Sequence, residues 1–438
     1  MLSHAIITAT YQTMIYENTL DFARSLDAQD ILKDFRQQFY IPQVNGADAI
    51  YLCGNSLGLQ PKAVEQHLLV ELEDWRTLGV EGHVHGRNPW LYYHHFFSES
   101  IAKLVGANKD EVVVMNQLTV NLNLMLISFY QPKGKRNKIL VEANEFPSDY
   151  YAIEQQIRLH GLNPEECIVE VLPRDGEVTL RTEDILAQIE QHKDELALVM
   201  LSAVNYYTGQ LFELDKIAQA CRQHNLYFGI DLAHAIGNVE LQLHNWGADF
   251  ATWCSYKYLN SGPGGVSGVF VHERHANSPS LPRLAGWWGN DEKTRFKMYK
   301  NFVPQPGAAG WQISNAPILS MAAHKASLEI FDKATMPALR KKSELLTGYL
   351  YWLLVEDREQ RTKSQEPGEY NIITPKQKEH RGCQLSIQTT ANGKQLFEKI
   401  TAAGVIADWR EPDVIRVAPV PLYNTFEDVW RFAALLHA

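Results

Sequence analysis

Two periodicities alternate along this chain. Short β-branched or apolar runs occur at Glu111–Met115, Lys138–Glu142, Ile168–Leu172, Leu196–Ser202, Leu226–Asp231, Phe250–Ser255 and Val266–His272. Their length and near-continuous hydrophobicity predict strands buried on both faces. Helical patterns at Ser148–His160, Thr182–Lys193 and Asp215–His224 separate several of them, with Thr182 and Asp215 as candidate N-caps. Such alternation predicts an α/β fold around a mostly parallel sheet covered on both faces. The flanks read differently. Leu20–Gln38, Lys62–Leu78 and Pro317–Asp332 have helical patterns. Beyond Leu339 come a helix, a polar stretch (Asp357–Glu369) and mixed signals, with strand candidates at Gly382–Gln388 and Val414–Val417. The expected organisation is an N-terminal segment (1–60) packing with a small domain, a large domain over 61–330, and a smaller α+β C-terminal domain over 331–438.

Composition narrows the partners. At 438 residues the chain exceeds the size at which one core stops growing, which favours two domains. The net charge of −10 arises from 51 acidic against 41 basic residues, and no Lys/Arg block stands out. That argues against nucleic acid and against a polybasic membrane patch. Cys53, Cys167, Cys221, Cys254 and Cys383 show no CxxC spacing, so neither a disulfide framework nor a cysteine zinc site is expected. The apolar run Leu122–Tyr130 is too short to span a bilayer. The stretch Met1–Tyr16 has no Lys or Arg and fails as a signal peptide, which points to the cytoplasm.

The most informative segment runs from Tyr227 to Val271. One apolar run ends on Asp231; the next leads to Ser255-Tyr256-Lys257, followed by the turn Gly262-Pro263-Gly264-Gly265. In an open α/β sheet, ligands sit beyond the carboxyl ends of strands, so Asp231 and Lys257 should share one crevice. A carboxylate near a pyridine nitrogen keeps it protonated, and a lysine among apolar neighbours is primed for imine formation. Either residue alone would be an ordinary solvated strand end. Together they point to pyridoxal 5'-phosphate held as a Schiff base on Lys257. The cofactor's phosphate needs a helix N-terminus, which Asn116-Gln117-Leu118-Thr119 provides, although Thr119 would also serve as a simple N-cap. In Asn144-Glu145-Phe146-Pro147-Ser148-Asp149, Phe146 could stack on the cofactor ring or act as a hydrophobic staple.

At this point the resemblance becomes specific. The segments YLCGNSLG (51–58), EGHVHGRNPW (81–90), ANEFPSDYY (143–151), DLAHAIGNVEL (231–241), CSYKYLNSGPGG (254–265), GWWG (286–289), WQISNAPIL (311–319) and IRVAPVPLYNTFEDV (415–429) resemble kynureninases. These belong to the fold-type I, aminotransferase class V branch of pyridoxal phosphate enzymes. The likeness covers nearly everything from Phe22 onward; the residues before Met14 look unlike the family's usual start. It implies hydrolysis of kynurenine to anthranilate and alanine, or of 3-hydroxykynurenine to 3-hydroxyanthranilate and alanine, within tryptophan catabolism and NAD-precursor synthesis.

The resemblance also implies roles. Lys257 carries the cofactor and moves protons, Asp231 pairs with the ring nitrogen, and Tyr256 relays a proton or holds phosphate. Leu118, Thr119, Phe146, Pro147, Ser148, Asp149, Ser202 and His234 line the cofactor. Trp287, favoured over Trp288, and Asn315 complete a site shared across a homodimer. Arg416 offers the bidentate fork for the substrate carboxylate; an arginine in that apolar strand could instead form a buried ion pair, but the resemblance favours the substrate role. His83, Ser56, Ser314 and Asn315 correspond to the aryl pocket. The cluster His83, His85, His94, His95 invites a metal, but no carboxylate or cysteine stands at zinc spacing, so none is expected. Two alternatives stay open: another class V chemistry, such as an aminotransferase or a cysteine desulfurase using Cys383, and a scaffold without catalysis. The intact Asp231/Lys257/Arg416 set argues against the scaffold.

Overall fold

The computed structural model describes residues 15–276, 278, 280–357, 370–390 and 392–437. The expectations for the residues before Met14 and for most of Asp357–Glu369 lie outside them. The central sheet has seven strands: β1 (Val112–Val114), β2 (Lys138–Glu142), β3 (Ile168–Val171), β4 (Leu196–Ser202), β5 (Tyr227–Asp231), β6 (Phe250–Trp253) and β7 (Gly268–Val271). Their spatial order is β1-β7-β6-β5-β4-β2-β3. All pairs are parallel except the two made by β7, which runs antiparallel to β1 and β6.

Period-two alternation explains why these runs read as continuously apolar. Ile139 and Val141 of β2 and Leu198 and Met200 of β4 enter one core, together with Met125 and Phe129. Leu140, Val199 and Leu201, one residue out of step, enter the other, together with Ile185, Ile217 and Met321. Both faces are therefore dry, and helices cover each. These helices are α2 (Val64–Leu78), α3 (His95–Val105), α4 (Leu118–Phe129), α5 (Pro147–Leu159), α6 (Thr182–His192), α7 (Leu214–Gln223) and α8 (Ile318–Ala334), with α1 (Leu20–Gln29) preceding them.

After α9 (Met336–Tyr351), four strands form a second, antiparallel sheet in the order β8-β9-β11-β10. They are β8 (Tyr370–Ile372), β9 (Leu385–Thr389), β10 (Asp408–Arg410) and β11 (Val414–Val417), with α10 (Gly393–Ala402) and α11 (Phe426–His437) beside them. Ala23, Ile50 and Leu52 from the N-terminal segment share a core with Leu350, Ile387, Ile415 and Phe432. Ile50–Tyr51 also pairs in parallel with Val405–Ile406.

Three local expectations need correction. The helix expected over Leu20–Gln38 breaks after Gln29, because the Asp30 carboxylate accepts a hydrogen bond from Leu32 N (2.8 Å) and competes with the helical ladder. A 3-10 turn over Lys33–Gln38 follows. Thr182 and Asp215 lie in the first turns of α6 and α7 rather than at the caps, which are Arg181 and Glu213. An acidic Asp215 still suits the positive end of the helix dipole. Thr119 is likewise inside its helix, whose cap is Gln117.

The N-terminal segment caps the last helix: Asp27 accepts hydrogen bonds from Phe426 N (2.7 Å) and Glu427 N (3.0 Å). Asp27→Ala should lower unfolding stability by about 1–2 kcal/mol in chemical denaturation, because two helix-terminal N–H groups lose their acceptor.

Candidate functional site

The carboxyl ends of four strands meet over one crevice. β2 ends on Glu142, β4 on Ser202 and β5 on Asp231, while β6 leads through Cys254 and Ser255 to Tyr256 and Lys257. Ser202 stands in register with Asp231, and Asp231 with Thr252. The cavity so formed is lined by Leu118, Thr119, Phe146, Ser148, Asp149, Ser202, Asp231, His234, Tyr256 and Lys257. All ten are among the expected cofactor residues. Pro147 is not in the wall; it is the first residue of α5, where its fixed φ suits helix initiation.

Each side chain is held by its local turn. Asn116 adopts a left-handed φ of 47° between β1 and α4. Its amide donates to Asn121 Oδ1 (2.9 Å), and the Asn121 amide donates to the Met115 carbonyl (2.8 Å). This turn presents Leu118 and Thr119 with the free N–H groups of the helix start. Thr119 Oγ1 lies 2.6 Å from Ser148 Oγ, so two hydroxyls and two helix N-termini converge. Asp231 is fixed by Ala233 N, which donates to it at 2.8 Å.

The lysine is held from below. Gly58 N donates to the Tyr256 carbonyl (2.8 Å). A Cβ at Gly58 would lie 2.3 Å from the Lys257 carbonyl oxygen, so only glycine permits this approach. Lys257 Nζ lies 3.0 Å from His234 Nε2 and 5.7 Å from the centre of the Phe146 ring. Burial, and then Lys257, hold His234 well below the usual imidazole range. Its Nδ1 is buried without a partner.

Sequence reasoning missed Glu142, Glu145 and Tyr206, which also line the cavity. Glu142 accepts from Ser202 Oγ and from Asn205 Nδ2 (3.2 Å), and burial raises its carboxyl to about 7. Glu142 could have been found, since it ends a predicted strand at the same sheet edge as Asp231. Both oxygens of Glu145 and one of Asp149 are buried without partners. Burial lifts Glu145, Asp149 and Asp231 above the usual carboxylate range; neighbouring carboxyls add to this for Glu145 and Asp149, while Lys257 opposes it for Asp231. The cavity thus gathers four carboxyls beside a single lysine. Such a site favours a bound proton or cation next to Asp149 and Asp231.

These features fit pyridoxal phosphate. A protonated ring nitrogen would satisfy the Asp149/Asp231 pair, Phe146 offers an aromatic face, and the Thr119/Ser148 corner offers donors to a phosphate.

The remaining expected residues lie elsewhere. Arg416, in β11, is fully buried; it pairs with Asp408 on the neighbouring strand and donates to the Tyr206 carbonyl (2.6 Å), with Nε unpartnered. It therefore stands behind the cavity wall through Tyr206, and the buried ion pair is a real part of its environment. His83 sits in the turn Gly82–His85 with Nδ1 3.0 Å from the Val80 carbonyl and its edge toward Trp90. Ser56 is half-buried, and Ser314 and Asn315 are exposed. None of these four lines the cavity of its own chain. Trp288 is 2% exposed under the Arg295 guanidinium, whereas Trp287 is 45% exposed. Of the two, only Trp287 is free to contact something outside its own fold. Cys383 is buried ahead of β9, and burial raises its thiol to about 12.

Comparisons with known proteins agree with this geometry. Residues 339–436 match the kynureninase C-terminal domain, and residues 92–266 match the DegT/DnrJ/EryC1/StrS aminotransferase family. The chain is 54% identical to a kynureninase of Myxococcus xanthus over 96% of its own length and 97% of the relative's. It is 51% identical to a kynureninase of Flavobacterium johnsoniae, covering 97% and 98% of the two chains. Among solved structures, the cysteine desulfurase CsdA of Escherichia coli superposes with a TM-score of 0.72 at 16% identity, over 93% of this chain and 97% of that one. A mutant C-DES with glycine covalently linked to its pyridoxal phosphate superposes with a TM-score of 0.73 at 15% identity, over 92% and 98%. The structural matches establish the fold of class V pyridoxal phosphate enzymes, and the sequence matches go further: this chain belongs to the kynureninase family.

Proposed function

We propose that this chain uses pyridoxal phosphate to hydrolyse the Cβ–Cγ bond of kynurenine or 3-hydroxykynurenine, releasing alanine and anthranilate or its 3-hydroxy form. The observation that carries this reading is the convergence of Lys257, Asp231, Asp149, His234 and Phe146 on one buried cavity in a chain about half identical to kynureninases. The reaction fits tryptophan breakdown and NAD-precursor supply, in the cytoplasm. Among the described residues no helix is long and apolar enough to cross a membrane.

When bound, the cofactor supplies an electron sink for carbanion character at the substrate carbons. Lys257 would anchor it, and its amine would move the proton at the substrate Cα. Asp231, with Asp149 beside it, holds the ring nitrogen protonated, since their shared burial needs a positive charge. Leu118, Thr119 and Ser148 hold the phosphate, with Pro147 starting the helix that carries Ser148. Ser202, at the end of β4, lines the cavity where it would meet the cofactor and is itself tied to Glu142. Burial keeps the Tyr256 phenol above its ordinary range, so it holds its proton at neutral pH and can deliver it to Cβ. Arg416 would receive the substrate carboxylate by exchanging the contacts with Asp408 and the Tyr206 carbonyl that it holds in this structure.

Trp287, Asn315, Ser314, His83 and Ser56 complete the site from a second copy of the chain in a homodimer. Support comes from their absence from the lining of their own cavity, and from exposed apolar side chains that follow Trp287 in the chain, Phe296, Tyr299 and Phe302. A desulfurase reading has no mobile nucleophile to offer, because Cys383 is buried and its thiol is held protonated.

Incubating the purified holoenzyme with each substrate, while following anthranilate fluorescence and alanine, tests the function. Formation of both products is expected; a cofactor-loaded protein that forms neither would overturn the reading. Arg416→Lys should lower kcat/KM by about 10- to 100-fold, mainly through KM, because an ammonium cannot reproduce the two-pronged contact. Glu142 gives a pH signature in the cofactor-free protein. Its folded carboxyl holds a proton up to about pH 7, whereas an unfolded glutamate releases it near pH 4.3. Stability is therefore lost as pH rises through this window. Denaturation at stepped pH should show that decline, and Glu142→Gln should make it shallower, leaving the part that Glu145, Asp149 and Asp231 contribute.

A further inference from the structure

We propose that His94, His95 and Glu292 form a divalent-metal site separate from the cofactor cavity, with Zn²⁺ as the ion that fits. His94 and His95 alone offer two ligands at the start of α3, and the fold brings the missing carboxylate from the loop that follows Trp287. His95 Nε2 lies 3.0 Å from Glu292 Oε1, and His94 Nε2 lies 3.4 Å from the same oxygen. All three ligand atoms fall within 4.8 Å of one another. A tetrahedral zinc with bonds of about 2.0–2.1 Å sets its ligand atoms roughly 3.3–3.4 Å apart, so small movements would close the shell. Two imidazoles and one carboxylate form a nitrogen/oxygen set that suits zinc, with the fourth position left to water.

The second observation is the state of His94. Its side chain is 2% exposed; Nδ1 has no hydrogen-bond partner, and Nε2 meets only the Glu292 carboxylate at 3.4 Å, too far for a good hydrogen bond. A buried imidazole so poorly satisfied is costly, and a metal bond removes that cost at one nitrogen. A cavity of about 250 Å³ opens on the three side chains and is bordered by Asp110, Asp291 and Gln305, together with Lys109 and Lys293. Two carboxylates beyond Glu292 offset those two ammonium groups, and Arg295 is committed elsewhere: it donates to the Trp288 and Asn290 carbonyls and lies over the Trp288 ring. A second group, Glu111 with His244 and His272, lacks this character, because Glu111 already accepts from Asn108 N (2.8 Å) and Glu273 N (2.7 Å). A metal at His94 would pin the loop carrying Trp287 to the start of α3.

The test uses cofactor-loaded protein stripped with a chelator, then titrated with Zn²⁺ by calorimetry and followed by thermal unfolding. One zinc per chain and a raised Tm are expected. His95→Ala and Glu292→Gln alter side chains outside the core, and each should weaken binding at least about tenfold and abolish the Tm rise. No uptake at about 100 µM Zn²⁺ would overturn the site. Binding undiminished in either variant, as at a stray thiol such as Cys53, would overturn it equally.

Discussion

The site depends on one electrostatic constraint: Glu142, Glu145, Asp149 and Asp231 are buried in one cavity with Lys257 as the cation in its wall. Isolated buried carboxylates cost several kcal/mol each, so such a group persists only with retained protons, hydrogen bonds or added positive charge. Glu142 uses hydrogen bonds from Ser202 and Asn205; Asp231 uses Ala233 N and Lys257. Asp149 keeps an oxygen with no partner. A protonated pyridine nitrogen would relieve Asp149 and Asp231, which is why the cavity suits this cofactor better than a neutral ligand; Glu145, whose two oxygens also lack partners, is lifted above the usual carboxylate range by burial.

The sheet makes this possible. Parallel strands deliver their last residues to one edge, while their dry interiors supply the stability that buried polar groups withdraw. Two other parts of the chain close the crevice. The loop containing Gly58 supports the backbone of Tyr256 and Lys257. The second sheet sends Arg416 to the Tyr206 carbonyl, coupling the C-terminal strands to the cavity wall. Relatives at 15–16% identity keep this frame, so the chemistry specific to this family resides in the side chains placed upon it.

Much of this was legible in the sequence, for physical reasons. Strand ends carry a strong signal because apolar runs stop abruptly, and Asp231 and Lys257 stand just where they stop. The family motifs added Phe146, Asp149 and His234. What escaped depends on tertiary placement. Glu145 precedes Phe146 in the same motif, yet only the fold shows it buried without partners. The Arg416–Asp408 pair follows from the register of two antiparallel strands. The choice between Trp287 and Trp288 rests on which ring Arg295 covers. Glu292 is distant in sequence from the histidines it meets, so no local spacing could reveal it. The break at Asp30 was missed because one side-chain hydrogen bond outweighed a helical pattern.

Lys257 as the cofactor's anchor is the role on which every other part of the site depends. Its most direct test is the visible absorption of protein reconstituted with pyridoxal phosphate, compared with Lys257→Ala treated in the same way. The native chain should show the band of a lysine-linked cofactor, and the variant should show only the spectrum of unlinked cofactor. A band that survives unchanged in Lys257→Ala would contradict the account.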